Sequence, residues 1–370
     1  MGSKRAMLGN GLGCVLDGMV GRHKRFIDLF TGSASVAWHV AQRYPIETWA
    51  FDLQRYSAVL AAAVVQRSHA VDPLRLWNDW SRRASVRFEA FSAPASNDIN
   101  ATFVKVARNW ARQFDETSLV NAYAGHYYSP VQASWIQAFR DTIPSKSPNR
   151  EICLAALVTA ASKCAASPGH TAQPFQPTDT ALKYLQISWR RDFCADIRTA
   201  LTQIASQHAQ IPGEARVGDA NKVASQLNSG DLVFIDPPYS AVQYSRFYHV
   251  LEAIAVGITS PVFGVGRYPP LNERPSSRYS QKTTSLLAIQ ELLSTLADRE
   301  VSAIITFPNH QCSNGIDASA IKNSASKFFK VRTQNVSSVF STLGGPAAKK
   351  HGTRLARMIA DEMILCLEPK

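Results

Sequence analysis

The sequence lacks paired cysteines. Its six (Cys14, Cys153, Cys164, Cys194, Cys312 and Cys366) fall without a CxxC or a Cys/His ligand spacing. That argues against a disulfide scaffold or a zinc site and suits a reducing compartment. Long apolar runs are also missing. The longest, roughly Ile152 to Ala161, is too short to span a bilayer and stops before Lys163. No charged-then-apolar leader pattern opens the chain, no internal repeat is visible, and no nuclease motif occurs. Acidic residues are in short supply, with 28 Asp+Glu against 40 Lys+Arg and a formal net charge of +12. This excess points to a polyanionic partner, nucleic acid ahead of a membrane surface. Hydrophobic residues make up 45% and charged residues 18% of the chain, which excludes a mainly disordered protein. A chain of 370 residues predicts one large domain carrying an insertion, or two domains. These features together predict a soluble, cytoplasmic protein with no membrane partner.

The opening stretch reads as α/β. Arg25 to Phe30 is a short apolar strand, Thr31 to Ser35 a turn of small residues, and Val36 to Tyr44 has helical spacing. Glu47 to Asp52 is a second strand, so this is a βαβ unit of a parallel sheet. From about Ser57 to Gln210 amphipathic helices alternate with polar loops, most clearly over Asp98 to Arg112, Pro130 to Arg140 and Glu151 to Ser162. Trp77, Trp80, Trp110, Trp135 and Trp189 fall in this stretch and read as core. Strands then return at Ala215 to Val217, Asp231 to Ile235 and Val301 to Phe307. A helix is predicted from Ser245, as its N-cap, to Val256. The long Pro-, Gly- and Ser-rich loop from Gly257 to Thr284 carries Arg267, Arg274, Arg278 and Lys282, and loops of that length are functional or disordered. The expected fold is α/β, with a mostly parallel, doubly wound sheet in a discontinuous domain (residues 1–65 and 211–370). A helical module, residues 66–210, is inserted into it.

The strongest chemical signal is Asp236-Pro237-Pro238-Tyr239, directly after the apolar run DLVFI. Ligands of open α/β sheets bind beyond the carboxyl ends of the strands, where this tetrapeptide would sit. Two prolines remove two backbone donors, leaving carbonyls and a carboxylate without competing N–H groups. Such a surface suits an exocyclic amine, whose delocalised lone pair needs two acceptors on its hydrogens before it can attack a methyl donor. Tyr239 adds a flat face for stacking a base, worth roughly 1–3 kcal/mol. Upstream, the turn Thr31 to Ser35 joins strand to helix where a nucleotide-like cofactor approaches the backbone. It has one glycine where the dinucleotide fingerprint has three, so alone it is a weak signal. Asp52 ends the next strand, where a carboxylate can accept from ribose hydroxyls. Gly218-Asp219-Ala220 adds a third strand-end carboxylate.

A turn of FxGS type, a helical insertion and then DPPY, in that order, resemble the Dam-like N6-adenine DNA methyltransferases. Gly2-Ser3-Lys4-Arg5 is similar to the family's N-terminal GxK motif. Tyr127 to Pro130, Ala160 to Gln173, Tyr244 to His249 and Phe340 to Gly345 look like further family blocks. The resemblance implies a Rossmann-like class I methyltransferase fold, S-adenosyl-L-methionine as cofactor and transfer of a methyl group to the N6 amine of a flipped adenine. It assigns Lys4, Asp28, Phe30, Gly32 and Ser33 to the methionine side of the cofactor, Asp52 to the ribose, and Asp219 and Ala220 to the adenine ring. Asp236 and the carbonyl of Pro237 would hold the target amine, with Pro238 completing the turn and Tyr239 stacking on the base. Ala34 stands where glycine is frequent in the family, which leaves less room for backbone approach.

Double-stranded DNA is the expected partner, and the helical insertion would read its bases. Tyr244, Arg246, Arg267, Arg274, Lys349, Lys350 and Arg354 are expected to meet DNA. Basic clusters at Arg22 to Arg25, Arg82-Arg83 and Arg190-Arg191 would add phosphate contacts. The setting would be restriction–modification or phage defence, with any restriction endonuclease a separate chain and this chain a monomer or weak dimer. Two rivals stay open: an RNA adenine or N4-cytosine methyltransferase, and a catalytically inactive DNA-binding paralogue. Asp before Pro-Pro favours adenine over N4-cytosine.

Overall fold

The structure, a computed structural model, describes residues 4–341, 349–350, 353–354 and 357–370, without the side chains of residues 337–360. Strands β1 (Arg25–Asp28), β2 (Glu47–Asp52), β3 (Glu214–Val217), β4 (Asp231–Ile235), β5 (Ser302–Pro308), β6 (Phe329–Ser341) and β7 (Arg357–Pro369) form one sheet. Its order is β3-β2-β1-β4-β5-β7-β6. The first five strands are parallel, and β7 enters antiparallel between β5 and β6. The order reverses between β1 and β4, so a crevice opens beyond their carboxyl ends, where ligands of such sheets bind.

Alternation along the strands explains the two covered faces. Ile27, Val233, Ile235, Ala303, Ile305 and Leu365 pack against helices Ser285–Asp298 and Ala318–Ala325. Phe26, Leu232, Phe234 and Ile304 pack with Val36 and Val40 of helix Ser35–Arg43 and with Leu12 and Leu16 near the N-terminus. β4 and β5 are buried at every position, as expected of parallel strands covered on both faces.

Between β2 and β3 the chain runs through helices and forms no strand among the described residues. Helix Arg55–Val65 packs on β2 and β3, and it packs with helices Pro130–Asp141 and Phe193–Ala205 on helix Asn149–Cys164, which is buried over most of its length. The predicted helices are found at Ala101–Ala111, Pro130–Asp141 and Asn149–Cys164. The second starts at a Ser129–Gln132 capping box with Pro130 in its first turn. Trp80 is fully buried with its indole N–H on the Phe139 carbonyl, 3.1 Å away, and Trp189 is also core.

Two expectations need correction. The helix after DPPY spans Tyr244–Val256, and its N-cap is Gln243, not Ser245; Gln243 makes no side-chain capping bond. No strand was expected after Phe307, yet β6 and β7 are the longest in the sheet. β6 is the edge strand and largely exposed over Lys330 to Asn335, which weakens the apolar signal that marked β4 and β5. No helix among the described residues is long and apolar enough to cross a membrane.

Candidate active site

Asp236 leaves the end of β4 at the reversal point. Its Oδ1 accepts from the Thr306 hydroxyl of β5 at 2.9 Å and lies 3.0 Å from the Lys4 ammonium. Among the described residues nothing donates to its Oδ2 or to the buried carbonyl of Pro237 next in the chain. The carbonyl of Pro238, by contrast, accepts from Asn314 Nδ2 at 2.8 Å, and the same amide donates to the Tyr279 carbonyl at 2.9 Å. Asn314 is wholly buried, so it fixes the turn from below and couples it to the 257–284 loop. The tetrapeptide thus presents two adjacent acceptors, one charged, in a turn that cannot donate from either proline.

Tyr239 follows, half-buried, with its ring 6.4 Å from that of Tyr244 in an edge-to-face arrangement. Tyr244 in turn meets Phe247 and Tyr248, and Tyr248 meets Tyr56 of the helical segment. Tyr244 was expected at the DNA. It is placed as the support behind Tyr239, and burial holds its phenol well above the usual tyrosine range.

Carboxylates converge on this crevice. Asp28, at the end of β1, is 1% exposed and accepts from the Phe30 N–H at 3.2 Å. Burial pushes its pKa well above the usual carboxylate range, and Asp236 and Asp52 add to the rise. Asp52, at the end of β2, accepts from Gly32 N–H on Oδ2 and from Gln54 N–H on Oδ1, both at 2.9 Å. It therefore ties the first turn to the second, and burial raises its pKa against those two bonds. Asp236 is raised by burial as well, with Lys4 pulling the other way.

The turn itself needs left-handed backbone at Gly32 (φ 51°) and at Ala34 (φ 61°). Glycine takes that region freely and alanine does so at a cost. Ser33 and Ser35 share a hydroxyl–hydroxyl bond of 2.8 Å. Phe30 packs edge-on to Tyr279, with ring centroids 4.9 Å apart, and the Tyr279 hydroxyl donates to Asn221 Oδ1 at 2.6 Å. Asp219 caps helix Ala220–Ala224 through the Lys222 N–H at 3.1 Å, and Ala220 is buried behind it. Asp28, Phe30, Gly32, Ser33, Asp52, Asp219 and Ala220 thus line the ends of β1, β2 and β3.

Lys4 was expected on the methionine side of a cofactor, and the structure gives it two acidic partners. Its ammonium bridges Asp236 and Glu362, the latter on β7 at 2.5 Å. Burial works against the charge, yet the two carboxylates outweigh it and hold the ammonium above the ordinary lysine pKa. Glu362, Tyr279, Thr306 and Asn314 escaped the sequence reading. Glu362 had a visible signal: an acid inside the apolar run Met358 to Leu367. The others had none, because they arrive from distant loops and strands.

The expected DNA contacts divide. Arg246 is exposed and Arg274 half-buried, and their guanidinium groups lie 5.1 and 5.4 Å from the Tyr268 ring centroid. Neither is in an ion pair among the described residues. Arg267 is a correction: it donates to the carbonyls of Ala122 (2.8 Å) and Asn121 (3.1 Å) and so holds the loop to the helical segment. Arg278 pairs with Glu291, Arg25 forms a fork on the buried Asp231, and the exposed Arg82 and Arg83 share Asp79. His249 is buried with one ring nitrogen near the Arg246 carbonyl and the other near the Gly266 carbonyl, and burial pushes it down to about 4, so as a neutral ring it donates to one of the two. The side chains of Lys349, Lys350 and Arg354, and residues 2–3 and 342–345 of the expected family blocks, lie outside the described residues.

Comparison with known proteins bears on this geometry. A stretch of 75 residues, 20% of this chain and 11% of the relative, is 37% identical to modification methylase LlaI of Lactococcus lactis subsp. lactis. A stretch of 60 residues, 16% of this chain and of the relative, is 38% identical to type II methyltransferase M.NlaIII of Neisseria lactamica. The matched stretches therefore span only a small part of either relative. The family model of the D12 class N6 adenine-specific DNA methyltransferases, in contrast, matches residues 1–292. With DPPY at the sheet's reversal point and that match over most of its length, the chain belongs to the D12 class N6 adenine-specific DNA methyltransferase family.

Proposed function

We propose that this protein methylates the N6 amine of adenine in double-stranded DNA, at a defined sequence, with S-adenosyl-L-methionine as the methyl donor. The observation that carries the reading is a pair of acceptors that receive no hydrogen bond among the described residues, Asp236 Oδ2 and the Pro237 carbonyl, beside an acid-rich crevice. Four carboxylates (Asp28, Asp52, Asp236 and Glu362) gather there, and Lys4 is the only cation paired with any of them among the described residues. A site so short of positive charge fits a cationic ligand. When bound, the cofactor supplies an electrophilic methyl group on a positively charged sulfur.

The chain's own residues then have separable tasks. Asp236 and Pro237 accept from the two amine hydrogens, which draws the nitrogen lone pair out of conjugation and aims it. Tyr239, backed by Tyr244, stacks on the base. The adenine must leave the helix, because its N6 cannot be aligned with the methyl group inside a duplex. No side chain has to remove a proton before transfer, so the rate gain comes from alignment and polarisation. Asp28, Phe30, Gly32 and Ser33 line the methionine side, Asp52 the ribose, and Asp219 with Ala220 the adenine ring. Arg246 and Arg274 take backbone phosphate, and the helical segment 66–210 reads the target as an inserted domain. Restriction–modification in the cytoplasm is the setting, with any endonuclease a separate chain.

Sequencing of N6-methyladenine in DNA from cells expressing the chain, beside an Asp236→Ala control, tests the reading. A methylated motif absent from the control is expected. Unmodified DNA with soluble protein present would reject it.

A further inference from the structure

β7 runs against the parallel strands, so its first half lies at their carboxyl ends, where the crevice opens. Glu362 pairs with Pro308 at the end of β5 and with Val336 of β6. Its strand face continues through Ile364 and Cys366, while Met363, Leu365 and Leu367 fill the opposite face. A carboxylate at 9% exposure on such a face is unfavourable unless paired. Its partner is Lys4, which is shared with Asp236.

We propose that Glu362 is a positioning residue: by sharing the Lys4 ammonium it keeps the Asp236 carboxylate a strong and correctly turned acceptor for the target amine. The inference rests on the reading of Asp236 as that acceptor. An ammonium paired with Asp236 alone would draw charge from it and weaken its hold on the amine hydrogens. With two carboxylates on one ammonium the trio keeps one net negative charge, and both contacts to Asp236 fall on Oδ1. Oδ2 is left without a hydrogen bond among the described residues. The other groups facing Asp236 are Asp28 from β1, the Thr306 hydroxyl from β5, and the phenols of Tyr239 and Tyr244. None of these can take the Lys4 charge in place of Glu362, because Lys4 pairs with no other acid among the described residues.

The test compares the wild type with Glu362→Gln and Glu362→Asp in single-turnover methylation of an adenine-containing duplex across pH 5 to 9. Glu362→Gln is expected to lower the rate by roughly tenfold, with duplex affinity unchanged and the acidic limb of the profile moved to lower pH. Glu362→Asp should recover part of both. A carbon-13 titration of the Asp236 carboxylate in the unliganded protein gives a readout independent of turnover, and Glu362→Gln should move it downward. An unmoved Asp236 titration would overturn the proposal, whatever happens to the rate. A wild type that titrates as expected but does not methylate DNA would instead reject the proposed function. Should Glu362→Gln fail to fold, the smaller change in Glu362→Asp still decides the direction.

Discussion

Asp28 shows how a binding site costs stability. Its folded pKa lies above the ordinary carboxyl value of 3.8, because a buried carboxylate loses hydration and faces two other acids. The folded state therefore gains from its protonation. That contribution is fully present below the unfolded pKa and is lost as pH rises through the folded one. Asp28→Asn keeps the shape and the acceptor for the Phe30 N–H. It should raise the melting temperature at pH 8, leave it unchanged near pH 3, and weaken binding of S-adenosylmethionine. Calorimetric melting against pH checks this, and a variant no more stable than wild type at pH 8 would show that the buried Asp28 carboxylate carries no such cost. Tyr239 is the complementary case. Tyr239→Ala should remove roughly 1–3 kcal/mol of stacking from capture of the extrahelical base. A 2-aminopurine probe at the target position should then lose its fluorescence response, and an intact response would place the stacking elsewhere.

At the scale of elements, the 257–284 loop is ordered by specific bonds despite its composition. Gln243 makes reciprocal bonds with the backbone of Ser277 (2.7 and 3.0 Å), Phe263 and Tyr268 pair as a short antiparallel bridge, and His249 and Tyr127 both meet the Gly266 carbonyl. Glycine is needed at 266, where a Cβ would fall 2.3 Å from the Tyr268 ring and 2.6 Å from the Ala172 carbonyl. This bracing brings Arg246 and Arg274, distant in sequence, around one tyrosine. Two guanidinium groups held together without an acid form a ready phosphate clamp. Arg246→Ala and Arg274→Ala should each weaken duplex binding evenly across sequences and reduce the slope of log K against log salt by about one. Binding titrations between 50 and 200 mM salt on cognate and unrelated duplexes would measure it. A change in site preference instead would mean that one of the pair reads a base.

At the scale of the molecule, β4 and β5 were legible because both of their faces are covered. Full burial demands near-continuous apolar runs such as DLVFI, and this run and the partly buried ETWAFD end at their observed residues. The helical segment was legible through its 3.6-residue spacing. DPPY was legible because its chemistry is local: four consecutive residues carry the carboxylate, the donor-free turn and the ring. The edge strand β6 was not, since its exposed residues Lys330 to Asn335 dilute the alternation, and β7 finds its place in the sheet only by pairing with β5 and β6. The destinations of Lys4 and Arg267 were not legible either. A long cationic side chain goes to the acid or carbonyl that folding brings within reach, and those partners lie far along the chain. Local pattern was thus enough for the fold class, the ends of β2 and β4, and the family. Which carboxylates share an ammonium, and which arginines remain open to DNA, depended on contacts between distant segments, whose energies appear only once the chain is packed.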